Sequence, residues 1–114
     1  MYIRKADDIA AAPVEMKGAH DVKIRLLVAQ DQQAPNFYMR QFDVAPGGCT
    51  PEHSHPWEHE CYILSGQATM TTAEGDRTVS AGDVLYVAPD EIHQFRNTGS
   101  EELKFLCLVP KPSS

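Results

Sequence analysis

Apolar and polar residues alternate along this chain in short runs, with the two-residue period of strands that bury one face. The pattern predicts strands over 23–29 (KIRLLVA), 37–44 (FYMRQFDV), 59–64 (HECYIL), 67–72 (QATMTT), 76–80 (DRTVS), 83–87 (DVLYV), 92–97 (IHQFRN) and 103–109 (LKFLCLV). Between them stand turn formers: Pro46-Gly47-Gly48, Ser65-Gly66, Ala73-Glu74-Gly75-Asp76, Ala81-Gly82-Asp83, Pro89-Asp90 and Thr98-Gly99. No stretch of ten or more residues carries a helical period. About eight short strands at regular spacing imply an all-β fold, a small barrel or double-sheet jelly roll, because those architectures manage exposed edges. The barrel is expected over 21–110. Residues 1–20 are too weakly patterned for an element and read as an N-terminal arm, lying on the barrel or on a partner subunit. Residues 111–114 read as a tail, part of the PKPSS ending.

Composition narrows the picture. A length of 114 residues with 42% hydrophobic content suits one domain with a single modest core and no need of disulfides. The net charge of −6 argues against nucleic-acid or anionic-membrane partners, both of which require a basic face. MYIRKADD lacks the apolar segment of a signal peptide, and no apolar run approaches the roughly 20 residues that span a bilayer, so a cytoplasmic protein is expected. Cys49, Cys61 and Cys107 are odd in number and never in CxxC spacing, which suggests neither a disulfide framework nor a zinc knuckle. Cys61 and Cys107 read as small buried hydrophobes, with a redox or active-site role as the alternative for Cys107.

The stretch HSHPWEHE, residues 53–60, changes the picture most, since it holds three of the chain's five histidines. On an extended strand His53 and His55 point the same way and can reach one metal ion. If extended structure resumes after Pro56, His59 shares their parity while Glu58 and Glu60 take the other, although a turn at Pro56-Trp57 that reset the phase leaves Glu60 as an alternative third ligand. His93, in a later strand, can face the same point in a closed barrel, whereas His20 stands apart. Four imidazoles in converging segments point to a metal site. Imidazole suits zinc, copper, iron and nickel, so ligand type alone does not choose the ion.

With those residues in view, the chain resembles the cupin superfamily. The stretch Gly47-x5-His53-x-His55-x3-His59-x6-Gly66 resembles the first cupin motif, with histidine where most cupins carry glutamate. The stretch Gly82-x5-Ala88-Pro89-Asp90-x2-His93-x3-Asn97 resembles the second, with Ala88 and Asp90 at the usual proline and glycine positions. The run HSHPWEHE, the segments NFYMRQF and PDEIHQFRN and the ending KFLCLVPK look closest to small single-domain manganese cupins with four histidine ligands, known from thermophilic bacteria. The resemblance implies a double-stranded β-helix, or jelly-roll, barrel. It also implies manganese or iron held by His53, His55, His59 and His93, Phe105 and Cys107 near the metal, and a homodimer.

Four neutral imidazoles leave the ion's double charge uncompensated, so such a site attracts an anionic ligand. The expected function is a manganese- or iron-dependent oxygenase acting with O2 or peroxide on a small organic substrate. Alternatives are a metal-dependent isomerase or epimerase, which needs a general base not obvious here, and a non-catalytic binding module. Arg40 shares a strand face with Tyr38, Phe42 and Val44, so it reads either as a clamp for an anionic substrate or as an arginine that reaches the barrel rim. Arg40 and Cys107 are the candidate catalytic residues. Trp57, Tyr62 and Tyr86 read as packing residues, and Glu58 and Glu60 as acceptors that orient a ligating imidazole.

Overall fold

In the computed structural model, which describes residues 1–112, nine strands account for the fold. They are β1 (Ala12–Pro13), β2 (His20–Val28), β3 (Phe37–Cys49), β4 (His59–Ser65), β5 (Gln67–Thr72), β6 (Gly75–Ser80), β7 (Val84–Val87), β8 (His93–Arg96) and β9 (Leu103–Pro110). Every pairing is antiparallel, in the order β6-β5-β8-β3-β9-β4-β7, with β2 added to β3 and β1 to β2. The sheet curls into a jelly-roll half-barrel, the all-β class expected from the alternation. Of the expected tail, residues 113–114 lie outside the described residues; Lys111 N–H donates to Asn36 O at 3.0 Å.

One turn signal does not end its strand. Pro46-Gly47-Gly48 stays within β3, because Gly47 takes a positive φ of 83° and bends the strand while pairing continues. Gly47 N–H donates to Asn97 O and Asn97 N–H to Gly48 O, so β3 passes from one side of the barrel to the other. Gly66 closes the β4–β5 connection at φ 84°, where an added Cβ would stand 2.6 Å from Glu102 O.

β4 buries His59, Cys61 and Ile63 and turns Glu60, Tyr62 and Leu64 outward, and β9 buries Leu103, Phe105, Cys107 and Val109. Both faces of β9 are apolar in sequence, and the register with β3 and β4 decides which points inward. Phe105, 1% exposed, is stacked between Phe95 (centroids 3.9 Å) and Phe42 (5.2 Å) and forms the middle of the core. Tyr62 and Tyr86, expected as packing residues, are 45% and 61% exposed, because their parity sets them on the outer face.

The N-terminal segment lies on this barrel. Arg25 donates through Nη1 to Ile9 O at 2.6 Å and through Nε to Asp43 Oδ2 at 3.1 Å, while Gln41 Nε2 donates to Asp43 Oδ1 at 2.8 Å. Asp43 and Gln41 are thereby hydrogen-bonded although both are buried. Arg25→Ala removes the clasp and leaves a buried carboxylate short of a donor. We expect a stability loss of about 2 kcal/mol and faster proteolysis within residues 1–9, measured by denaturant unfolding and timed digestion.

Candidate metal centre

The chain delivers four imidazoles from three places. His53 pairs as an isolated bridge with His93 at the start of β8, His55 follows in the loop, and His59 opens β4 beyond a bend at Pro56-Trp57. One nitrogen from each of His53, His55 and His93 lies within 4.8 Å of the other two, a group able to hold a metal ion. His59 joins from the side, its Nε2 2.6 Å from His55 Nε2. Ring centroids in the contacting pairs are 4.4–5.3 Å apart.

Backbone carbonyls set the orientation. The Nδ1–H of His53 donates to Pro51 O (2.8 Å), that of His55 to Trp57 O (2.8 Å) and that of His93 to Glu91 O (2.9 Å). A carbonyl only accepts, so each Nδ1 carries the proton and each Nε2 keeps a free lone pair. Fixing the far nitrogen this way is how proteins aim a ligating histidine. Glu58 and Glu60, expected in this role, do not fill it. Glu60 faces outward, and a hydrogen bond shared with Glu58 holds its carboxyl above the usual carboxylate range.

The turn that carries His93 is held to the first loop. Asp90 adopts φ 66°, the left-handed conformation for which the cupin pattern uses glycine and which aspartate tolerates better than most residues. Its N–H donates to His55 O at 2.7 Å, so the departure at this position keeps the turn and ties His55 to His93.

Behind His59 stands a second polar group. Cys107 Sγ lies 3.1 Å from His59 Nδ1 and accepts from Arg40 Nη2 at 3.1 Å. A hydrogen bond from the Cys61 thiol, with His59 and the Arg40 charge, pulls the Cys107 thiol below its ordinary range against the opposing effect of burial. The Cys61 thiol is pushed up by the same hydrogen bond and by burial. Arg40 projects inward, over the Phe42 ring at 5.1 Å, and its Nε is buried without a partner. Sequence parity left Arg40 between an inward clamp and the barrel rim and did not give its sulfur partner, which depends on the β3–β9 register that sets Arg40 opposite Cys107.

These side chains line a cavity of about 350 Å³ with mainly apolar walls, including Phe42, Phe95 and Phe105. Trp57, expected as a packing residue, stacks on His55 (centroids 4.4 Å, 5° between planes) and borders the cavity while 46% exposed. The cavity is large enough for a small organic ligand, with its polar groups gathered at the histidines.

A family model described as Cupin domain (Cupin_2) matches residues 40–109, the segment that carries Arg40, all four histidines and Cys107. The chain belongs to the Cupin_2 family. This cupin is 29% identical over 111 residues to protein SchB of Streptomyces halstedii, covering 93% of this chain and 78% of SchB. The solved structure of the polyketide cyclase RemF from Streptomyces resistomycificus superposes with a TM-score of 0.93 at 29% identity, covering 98% of this chain and 80% of that one. The oxalate-binding protein of Thermotoga maritima is 35% identical over 65 residues, 56% of this chain and 54% of that protein. With several curated relatives, the cupin's match spans about half of their length or less. No helix among the described residues is long and apolar enough to cross a membrane.

Burial, then the neighbouring histidines, hold the pKa of His55 and His93 below the usual 6.5, partly offset by their carbonyl bonds. A lowered folded pKa means that below pH 6.5 the unfolded chain takes up protons that the folded cupin refuses. The stability these groups contribute is complete above pH 6.5 and is lost as the pH falls from there through their folded values. In the presence of a chelator, melting temperature should therefore drop between pH 7 and 5, and the His55→Gln, His93→Gln double variant should show a smaller drop across that window.

Proposed function

We propose that this cupin is a divalent-metal enzyme: His53, His55, His59 and His93 hold the ion, and the cavity takes a small, largely apolar substrate with an enolisable carbonyl. The observation that carries this reading is the tie of three Nδ1 atoms to carbonyls, which leaves their Nε2 lone pairs free, that of His55 within 2.6 Å of His59 Nε2. Bound there, the ion supplies Lewis acidity toward a carbonyl or enolate oxygen. Manganese is the ion implied by the resemblance, with iron, copper, zinc and nickel as alternatives that imidazole also accepts.

The protein's own residues do the rest. Four imidazoles add no negative charge, and Arg40 contributes a positive one, so an enolate is drawn to the polar end of the cavity. Phe42, Phe95 and Phe105 exclude water and give a planar hydrocarbon its contact area, and Trp57 covers the entrance beside His55. Cys107 keeps His59 Nδ1 engaged and so fixes the fourth ring. The likeness to a polyketide cyclase over nearly the whole chain supports a poly-ketone substrate and ring closure by carbon–carbon bond formation with loss of water.

Oxygenase chemistry is the second reading, supported by an imidazole set that suits iron as well as the redox-inert metals. Exposed Tyr62, Leu64, Val84 and Tyr86 on the outer face support a homodimer for either. The test combines elemental analysis of tag-free protein with incubation of a linear poly-β-ketone probe in an oxygen electrode. A product lighter by water without O2 uptake supports the cyclase reading; uptake stoichiometric with product supports the oxygenase. A metal-loaded protein that neither binds nor converts the probe overturns the proposed substrate class.

A further inference from the structure

Cys61 on β4 and Cys107 on β9 stand directly opposite each other in the antiparallel register. Their side chains point to the same face, into the barrel, at 5% and 3% exposure. Directly opposed residues in such a ladder have Cα atoms about 4.5–5.5 Å apart, inside the range that a disulfide bridges. Only one of the two borders the cavity. Cys107 lines it, within reach of a small oxidant, while Cys61 stands behind it in the hydrophobic core. The next inward-facing pair along the ladder, Ile63 and Phe105, is apolar, so the two thiols form a distinct chemical spot in that core. The third cysteine, Cys49 on β3, sits apart with its thiol donating to Gly18 O.

We propose that Cys61 and Cys107 are a redox pair that peroxide closes into a cross-strand disulfide, loosening the metal centre by withdrawing the Cys107 sulfur from His59 and Arg40. In the first step the Cys107 sulfur attacks one peroxide oxygen; the O–O bond breaks, the sulfur becomes a sulfenic acid, and the other oxygen leaves as water. In the second the Cys61 sulfur attacks the sulfenic sulfur, the S–S bond forms, and the hydroxyl leaves as water with the thiol's proton. Two thiols lose two electrons in total, and one peroxide accepts them. Arg40 Nη2, donating to the Cys107 sulfur at 3.1 Å, favours it as the attacking atom.

Disulfide formation ends the 3.1 Å contacts of Cys107 with both His59 Nδ1 and Arg40 Nη2. Loss of an outer hydrogen-bond partner of a ligating histidine typically weakens metal binding roughly 10–100-fold. That consequence rests on the proposed four-histidine centre; the pairing of the cysteines does not.

Zinc-loaded protein, in which the added peroxide is the one oxidant, provides the test. After treatment it is denatured in iodoacetamide and cut after glutamate, so that Glu52, Glu58 and Glu60 separate Cys49 from Cys61. The expected result by mass spectrometry is a Cys61–Cys107 linked peptide with Cys49 alkylated, reversed by dithiothreitol, and zinc affinity 10–100-fold lower in the oxidised form. In Cys61→Ala, Cys107 should be trapped by dimedone as the sulfenic acid. Cys61 alkylated beside a sulfinic Cys107, or a disulfide that uses Cys49, overturns the pair. A Cys61–Cys107 disulfide with unchanged zinc affinity overturns the switch. Failure of the reduced protein to bind zinc at all counts against the histidine centre, while the disulfide map still decides the pair.

Discussion

Replacing His59 by alanine lowers affinity for a divalent ion by more than about 100-fold, whereas Glu60→Ala changes it by less than about twofold; the first figure lies beyond the 10–100-fold cost of losing only an outer partner. The contrast follows from the β4 register. His59 opens the strand on its inward face, buried, with Nε2 2.6 Å from His55 Nε2, and Glu60 is turned to solvent beside Glu58. Metal-competition titrations on both variants give the comparison, and comparable losses would transfer the fourth position to the carboxylate. Because His59 also contacts Cys107, His59→Gln is the informative companion, since it keeps bulk and a polar terminus without restoring an imidazole.

Phe105→Ala should cost about 3–5 kcal/mol of stability, the range for deleting a large aromatic side chain from a close-packed core. Phe105 is 1% exposed and stacked with Phe95 at 3.9 Å and with Phe42 at 5.2 Å, so its removal takes from both neighbours the ring they pack on. The same three rings wall the cavity, and their loss should also weaken binding of an aromatic probe. Urea unfolding of the metal-free protein isolates the packing contribution, and Phe105→Leu should lose less by filling most of the volume. A loss under 1 kcal/mol for Phe105→Ala would show that the stack is not the centre of the core.

Much of the strand arrangement was legible in the chain because the two-residue period survives wherever one face is buried. It failed where both faces are covered. In β9 every position from Leu103 to Val109 except Lys104 is apolar, so only pairing with β3 and β4 reveals that Phe105 and Cys107 face inward. In β3 Gln41 and Asp43 look like the solvent side and are instead buried, with Arg25 bonding both Asp43 and the backbone of Ile9. The two-residue β1 carries no pattern at all, being held by the backbone of β2.

At the candidate centre, residue types announced themselves and their supports did not. HSHPWEHE and His93 were visible as chemistry, but the carbonyls of Pro51, Trp57 and Glu91 that orient three of the rings belong to the backbone, which sequence does not label. The positive φ of Asp90 was likewise hidden, since aspartate reads as an ordinary turn residue. Arg40 and Cys107 were each singled out separately. Their contact is a product of register across 67 residues of chain.

In the proposed centre four imidazoles surround one ion while Cys107 stays outside them. X-ray absorption spectroscopy of the metal-loaded protein tests it most directly, because nitrogen and sulfur neighbours differ in both scattering and distance. The expected result is four imidazole nitrogens, light-atom neighbours completing the set, and no sulfur. Sulfur bound to the ion, or fewer than four imidazoles with no change in His59→Ala, would contradict it.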